Sequence, residues 1–466
     1  MRMLNRFWCA ALLGLACSMT CTHAQAQCNT TTRGFNTVWG CQKPPTQQGS
    51  FAMVDAGQFT GDICNQIQTA FTSIVASNSV FGVVVDARGV PPPYSCASGE
   101  SPWGSWGYTN YPPSVVLLPS GTIPVVTTWI MPANARLIGE GPGATILQAA
   151  SNLTGDMIDM GSASSSYCTH DTTNNTFDCP GVEIEHLALV GNSKSSLNGI
   201  VNNNAQEFSH VEDVAFSNIT GTALLLNGRF SQNSGPYSNL TMTNVGICIN
   251  INGPTGTRGI HGLNCSTSNP PTFPAAIYVD ASNNSLEDIS LSGANTNGIL
   301  IGSVAAAQNN VLFNISGSGI SGNGFTYLIH ISNTLSGQTN CPGKAKSSTQ
   351  VYNVCDVTIM AVTNSTGNTT IKDDVGGPTV SDSTLGMYIL GEPVQYGDSN
   401  VTNDHFLGNS HFTISPNWPS WVVGPSQTSG ASCTGVGTLY SVTSGTGPAL
   451  WECEGSGSGW RKVTNQ

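Results

Sequence analysis

The chain has 466 residues, of which only 9% are charged, and a formal net charge of −12. Its 14 Lys and Arg are scattered along the sequence. Clustered cations are what nucleic acid and anionic membrane surfaces require, so neither is an expected partner.

Arg2 and Arg6 precede an apolar run from Phe7 to about Met19, and Ala24-Gln25-Ala26 follows as a small-x-small site. This pattern predicts a signal peptide over 1–26, too short to span a bilayer, and hence a secreted or periplasmic protein. No later segment is long and apolar enough to be a membrane span. Without the two leader arginines, 12 cations face 26 acids and the net charge becomes −14. Three of the 15 cysteines lie in the leader, which leaves twelve. An even number in an exported chain predicts disulfides. Neighbour pairing gives Cys28/Cys41, Cys64/Cys96, Cys168/Cys179, Cys248/Cys265, Cys341/Cys355 and Cys433/Cys453. No paired CxxC or His-rich spacing is present, so no metal site is expected from these residues.

Residues 27–54 read as an extended lead-in. In the stretch 61–78, Ile63, Ile67, Ala70, Phe71, Ile74 and Val75 recur at helical spacing behind Asp62, a ready N-cap. FGVVVDARG (81–89) then reads as a buried strand ending in a turn. GESPWGSWGYTNYPPS (99–114) places Trp103, Trp106, Tyr108 and Tyr111 in one Gly/Pro loop. Such aromatics either stack on sugar faces or fold back to seal the helix, and the sequence leaves both open.

The segments DICNQIQTAF, FGVVVDARG, VVLLPSGTIPV (115–125) and ANARLIGEGPGATILQA (133–149) resemble the N-terminal module of secreted pectate-lyase-superfamily proteins, which are related to glycoside hydrolase family 28. The resemblance covers residues 55–150. It implies a right-handed parallel β-helix, with the helix at 61–78 as its cap, and activity on acidic polysaccharide. The family's polygalacturonase motifs have partial counterparts in Ile260-His261-Gly262 and Asp373-Asp374; the Arg-x-Lys element is absent.

A repeat fills 182–332. IEHLALVGN (184–192), VEDVAFSNI (211–219) and LEDISLSGA (286–294) share one template of apolar, Glu, polar, apolar, small, apolar. The 75 residues from Val211 to Leu286 fit three steps of 25. Weaker copies are YSNLTM (237–242), IHGLNC (260–265), QNNVLF (308–313) and VCDVTI (354–359). Each rung has a second short apolar run: 199–202, 223–227, 246–250, 276–280, 298–302 and 327–331. Period-two alternation with Asn/Gly/Ser punctuation says strand, and a repeat of this length says a stacked solenoid over 55–414. Residues 415–432 read as a linker, and 433–466 as a small β-hairpin unit.

Aligned rungs give two surface columns. One reads Glu185, Glu212, Ser238, His261, Glu287, Asn309, Cys355, and the other His186, Asp213, Asn239, Gly262, Asp288, Asn310, Asp356. Asp, Asn and Gly at one bend suit left-handed backbone, so the second column also reads as a corner ladder. At about 4.8 Å per rung, Asp213 and Asp288 are too far apart to cooperate. Glu185 and Glu212 stand close enough for a retaining carboxylate pair, and their repulsion is expected to raise one pKa. His186 lies beside Asp213, and His261 beside Glu287, with Arg258 just upstream. The catalytic candidates are therefore Glu185, Glu212, Asp213, Arg258, His261 and Glu287. A lyase would use Arg258 and His261 and call for Ca²⁺; a hydrolase would use the glutamates. The expected partner is a uronate-containing polysaccharide, and the expected role is cleavage or binding. The alternative is a non-catalytic surface or fibre protein; the oligomeric state stays open.

Overall fold

The computed structural model describes residues 50–75, 80–97, 101–104, 113–162, 167–171, 176–227, 234–252, 259–302, 307–319, 324–332, 351–355, 357–365 and 369–373, with further strands at 382–385, 388–390, 394–396, 405–407, 421–424, 439–442, 449–453 and 460–463. The expected leader, Cys28, Cys41, Cys341 and Cys433, and the pairings they enter, lie outside these residues. So do Trp106, Tyr108, Tyr111 and Arg258.

Each template copy is one strand of a long parallel sheet. Its path runs from Ser50–Asp55 through Glu183–Val190, His210–Ser217, Tyr237–Val245, Ile260–Thr267, Ser285–Gly293 and Val311–Gly319 to Thr358–Asn364 and beyond. The second apolar runs form a separate ten-stranded parallel sheet, from Trp129–Met131 to Val394–Tyr396. Two parallel sheets alternating along one chain make a parallel β-helix. Between them stack ladders of buried side chains. Ile184, Val211, Tyr237, Ile260 and Leu286 form one, and Leu187, Val214, Leu240, Leu263 and Ile289 the next.

The template's polar third position has a backbone reason. His186, Asp213, Asn239, Gly262, Asp288, Asn314 and Ala361 all have φ between 51° and 67°. This left-handed residue breaks the in–out alternation, so two successive side chains face out before the chain turns in again. Asn, Asp and Gly adopt it at least cost. The register corrects two expected rungs. Phe313 pairs with Glu287, and Met360 with Phe313. Asn309 and Asn310 lie in the turn before the strand, where buried Asn310 accepts from Asn284 N at 3.0 Å. Cys355 belongs to Val351–Cys355, a strand of a third, three-stranded sheet. Both copies matched the polar dipeptide and missed the apolar pairs Leu312/Ile315 and Ile359/Val362, whose burial sets the register.

The helix runs from Ile63 to Val75 and buries Ile63, Ile67, Ala70, Phe71 and Ile74. Asp62 Oδ1 accepts from Asn65 N at 2.9 Å and its Oδ2 from Ala97 N at 3.0 Å, so one carboxylate caps the helix and ties it to the loop beyond the next strand. The Cys64–Cys96 disulfide makes the same tie covalently, with Cα atoms 5.2 Å apart. Cys168–Cys179 and Cys248–Cys265 are also bonded, at 4.7 and 6.2 Å. Solenoid pairing starts earlier than expected, because Ser50–Asp55 in the lead-in pairs in parallel with Val80–Asp86. The expected linker also needs correction: Trp421–Gly424 pairs with Leu439–Val442, which joins Ala449–Cys453 and Trp460–Val463 in one four-stranded sheet. No helix among the described residues is long and apolar enough to cross a membrane.

Candidate functional site

The outer face of the first sheet carries a cluster near the start of its strands. Arg136 pairs in register with Glu183, and Glu183 with His210, so the three form one column across successive rungs. Two residues on, Glu185 pairs with Glu212 in the next column. Period-two alternation turns all five side chains outward, while Leu137, Ile184 and Val211 between them point into the core.

The cluster is electrostatically ordered. Arg136 Nη2 donates to Glu185 Oε1 at 2.8 Å, and its Nε contacts Glu183 Oε2. His210 Nε2 lies 3.3 Å from the same Glu185 oxygen. The bond from His210, reinforced by Arg136, holds the Glu185 carboxyl down at about 2. The same bond raises His210, and burial pushes Glu183 above the usual carboxylate range. The stabilising contribution of Glu185 is therefore complete above about pH 4.5 and lost as pH falls through about 2. That of His210 is complete below its ordinary 6.5 and lost as pH rises through its raised value. Together these two are complete between about pH 4.5 and 6.5, while the contribution of the raised Glu183 is lost as pH rises through its own folded value.

This corrects one expectation. Glu185 does not take the raised pKa that crowding with Glu212 would give it, because Arg136 and His210 overcompensate. The raised value falls on Glu183. Arg136, Glu183 and His210 were missed in sequence because the template was aligned from its second position; reading one column earlier shows Arg, Glu and His in line. The other expected neighbours are in place. His186 Nδ1 lies 2.8 Å from Asp213 Oδ2, and His261 Nδ1 3.3 Å from Glu287 Oε2. Asp288 instead accepts from Asn314 Nδ2 at 2.6 Å, continuing the corner ladder.

The aromatics divide. Trp103 is 1% exposed and donates from Nε1 to Ser114 Oγ at 3.1 Å, so it seals the cap and cannot stack on a ligand. Two other rings among the described residues are exposed. Phe313, on the rung after Glu287, is 42% exposed. Phe208, two residues before His210, is 67% exposed and has φ 62°. A bulky residue in that region is strained by about 1–3 kcal/mol. Phe208→Gly removes the strain and an exposed ring, so its thermal midpoint is expected to match or exceed the wild type's. A lowered midpoint would show that the ring holds the fold.

On the second sheet, Asp159 sits between Ile130 and Val201 on the outward face. Its Oδ1 is buried without a hydrogen-bond partner, and burial, with Asp156 adding, pushes its carboxyl up to about 7.

No protein-family model matches this sequence, and no curated protein is significantly similar to it. Several solved structures align with most of its length. ORF18 of Geobacillus virus E2 is 13% identical over 88% of this chain and 75% of its own, with a TM-score of 0.39. The mannuronan C-5 epimerase AlgE4 A-module of Azotobacter vinelandii is 13% identical over 78% and 100%, at 0.30. The Streptococcus pneumoniae surface protein and adhesin PfbA is 10% identical over 78% and 98%, at 0.35. At these scores and identities they bear on neither activity nor ligand.

Proposed function

We propose that this is an exported polysaccharide-acting β-helix and that the outer face of its first sheet is the working surface, with an inverting glycoside hydrolase site at Glu183 and Glu212. The observation that carries it is the spacing of these glutamates on adjacent rungs. They are one rung and two residues apart, about 8 Å on the diagonal. An inverting pair needs roughly 6.5–9.5 Å, to leave room for the attacking water. Glu183, its pKa raised by burial, is the general acid that protonates the leaving oxygen. Glu212 is the base on the next rung. Glu185 is a positioning residue: held ionised by His210 and Arg136, it opposes a second negative charge on Glu183.

The arrangement favours a neutral polymer over the uronate expected from sequence. Among the described residues of this face, Arg136, His210, His186 and His261 each already face a carboxylate, so none of these four is left to receive a uronate. Ca²⁺ does not fit either. Glu183, Glu185 and His210 bring ligand atoms within 4.8 Å of one another. Yet Arg136 already occupies one oxygen of each carboxylate, and Ca²⁺ takes six to eight oxygen ligands.

A non-catalytic surface protein is the second reading, favoured by the internal pairing of the cluster. Purified protein incubated with neutral and uronate polysaccharides, read for reducing ends, for unsaturated products and for the anomer released, separates the two. The proposal expects new reducing ends of inverted configuration, abolished in Glu183→Gln and Glu212→Gln. Retention of configuration, unsaturated products or undiminished turnover in Glu183→Gln would refute this mechanism. Binding without turnover on any polymer would establish the surface protein.

A further inference from the structure

A cleft of about 470 Å³ opens at the other end of the first sheet's strands, where the chain turns into the second sheet. The strands are eight to nine residues long, so it lies about 25 Å from the glutamate cluster. Turn lengths make it. Residues 191–199 connect Glu183–Val190 to Ile200–Asn202, and residues 268–274 connect Ile260–Thr267 to Ala275–Asp280. The two turns between them are short, 218–221 and the single residue Gly246. Two short turns flanked by two long ones leave a trough, its floor formed by Gly221, Thr222 and Ile247.

Both walls are preorganised. In the first, Ser193 and Ser196 hold φ of 53° and 56°, a conformation serine rarely adopts, and their side chains are exposed. Lys194 is turned away, its Nζ donating to Ser151 O at 2.7 Å. In the second wall, Phe273 follows Pro270 and Pro271 and precedes Pro274, each with a fixed φ. Asn295 Nδ2 donates to Phe273 O at 2.7 Å. The ring reaches over Gly246: a Cβ added there would stand 2.8 Å from Phe273 Cε2 and clash with the backbone of Thr220. Only glycine fits at 246, and the absent side chain keeps the floor open.

The lining is Ser193, Ser195, Ser196, Asn198, Thr220 and Thr222 with Ile247, Thr272 and Phe273, and no lining side chain is ionisable. Asn198 braces the wall, its Nδ2 donating to Asp156 Oδ1 and its Oδ1 accepting from Thr222 N, both at 2.8 Å. Uncharged hydroxyls opposite one aromatic ring match a polyol with a C–H face, and the volume lies in the range of small-molecule sites. We infer that this cleft is a binding site for one or two neutral sugar units, separate from the flank. It excludes uronates, because nothing in the lining compensates a carboxylate on leaving water.

Saturation-transfer NMR and calorimetry with D-glucose, D-galactose, D-mannose, L-rhamnose, N-acetyl-D-glucosamine, cellobiose, maltose and lactose test this, with D-glucuronate as the charged control. At least one neutral sugar is expected to bind with about millimolar affinity, as its few heavy atoms allow. Phe273→Ala and Ser195→Trp are each expected to weaken it at least tenfold. Ser195 is exposed, so its replacement blocks the cleft without disturbing the core and keeps the test valid should Phe273→Ala unfold the wall. No binding by any sugar, equal binding of D-glucuronate, or wild-type affinity in Ser195→Trp would overturn the inference. The measurement uses small sugars and no turnover, so it can fail while the flank is catalytic, and the reverse.

Discussion

Asp159→Asn is expected to make the protein more stable than the wild type above pH 7 and nearly equal to it at pH 4. Burial lifts the Asp159 carboxyl from 3.8 to about 7, with repulsion from Asp156 second. The folded state therefore favours the neutral acid. Its stabilising contribution is complete below about pH 3.8 and disappears as pH climbs to about 7. A rise of about three units at about 1.4 kcal/mol each sets an upper bound of about 4 kcal/mol on the loss. Asn carries no charge and has no such slope. Stacked coils need not unfold in one step, so amide exchange of the Ile158–Met160 strand is the direct readout, beside thermal midpoints from pH 4 to 8.5. Parallel pH profiles for variant and wild type would show that Asp159 is ionised, and solvated, at neutral pH.

Arg136→Met is expected to be the most damaging single change on the glutamate flank. The guanidinium touches Glu183 and Glu185, whose side chains are only 18% and 12% exposed. Breaking a fully buried pair costs about 3–5 kcal/mol; the half-open setting and solvent screening bring this to about 2 kcal/mol at pH 7. The loss should shrink as pH falls and Glu183 takes up a proton, Glu185 staying ionised beside His210. It should also be largely recovered in Arg136→Met/Glu183→Gln, which removes one of the stranded charges. Denaturation midpoints of the single and double variants at pH 5 and 8 measure both effects. If the single variant unfolds like the wild type, Arg136 is a spectator and the ordering of the two glutamates needs another cause.

The repeat made much of this legible. The template around Ile184-Glu185-His186-Leu187 encodes inward and outward positions, and its third, left-handed residue is an Asp, Asn or Gly in most copies. The adjacencies Glu185/Glu212 and His261/Glu287 followed from counting. Asn309 and Asn310 misled because a polar pair preceding an apolar run imitates the template one turn too early. The aromatic loop was open to two meanings in sequence, and Trp103 took the structural one because its indole N–H finds Ser114 in a buried pocket.

The sequence by itself determined the strand period, the left-handed corner and the cap, because those depend on neighbours along the chain and on a repeat that fixes its own register. Only the tertiary structure decided which glutamate has its pKa raised, that Asp159 is half-buried with one unpartnered oxygen, and that two long turns enclose a cleft. Those properties depend on what the next coil brings alongside. Arg136 is 49 residues from Glu185, and His210 a further rung beyond, yet together they set its charge.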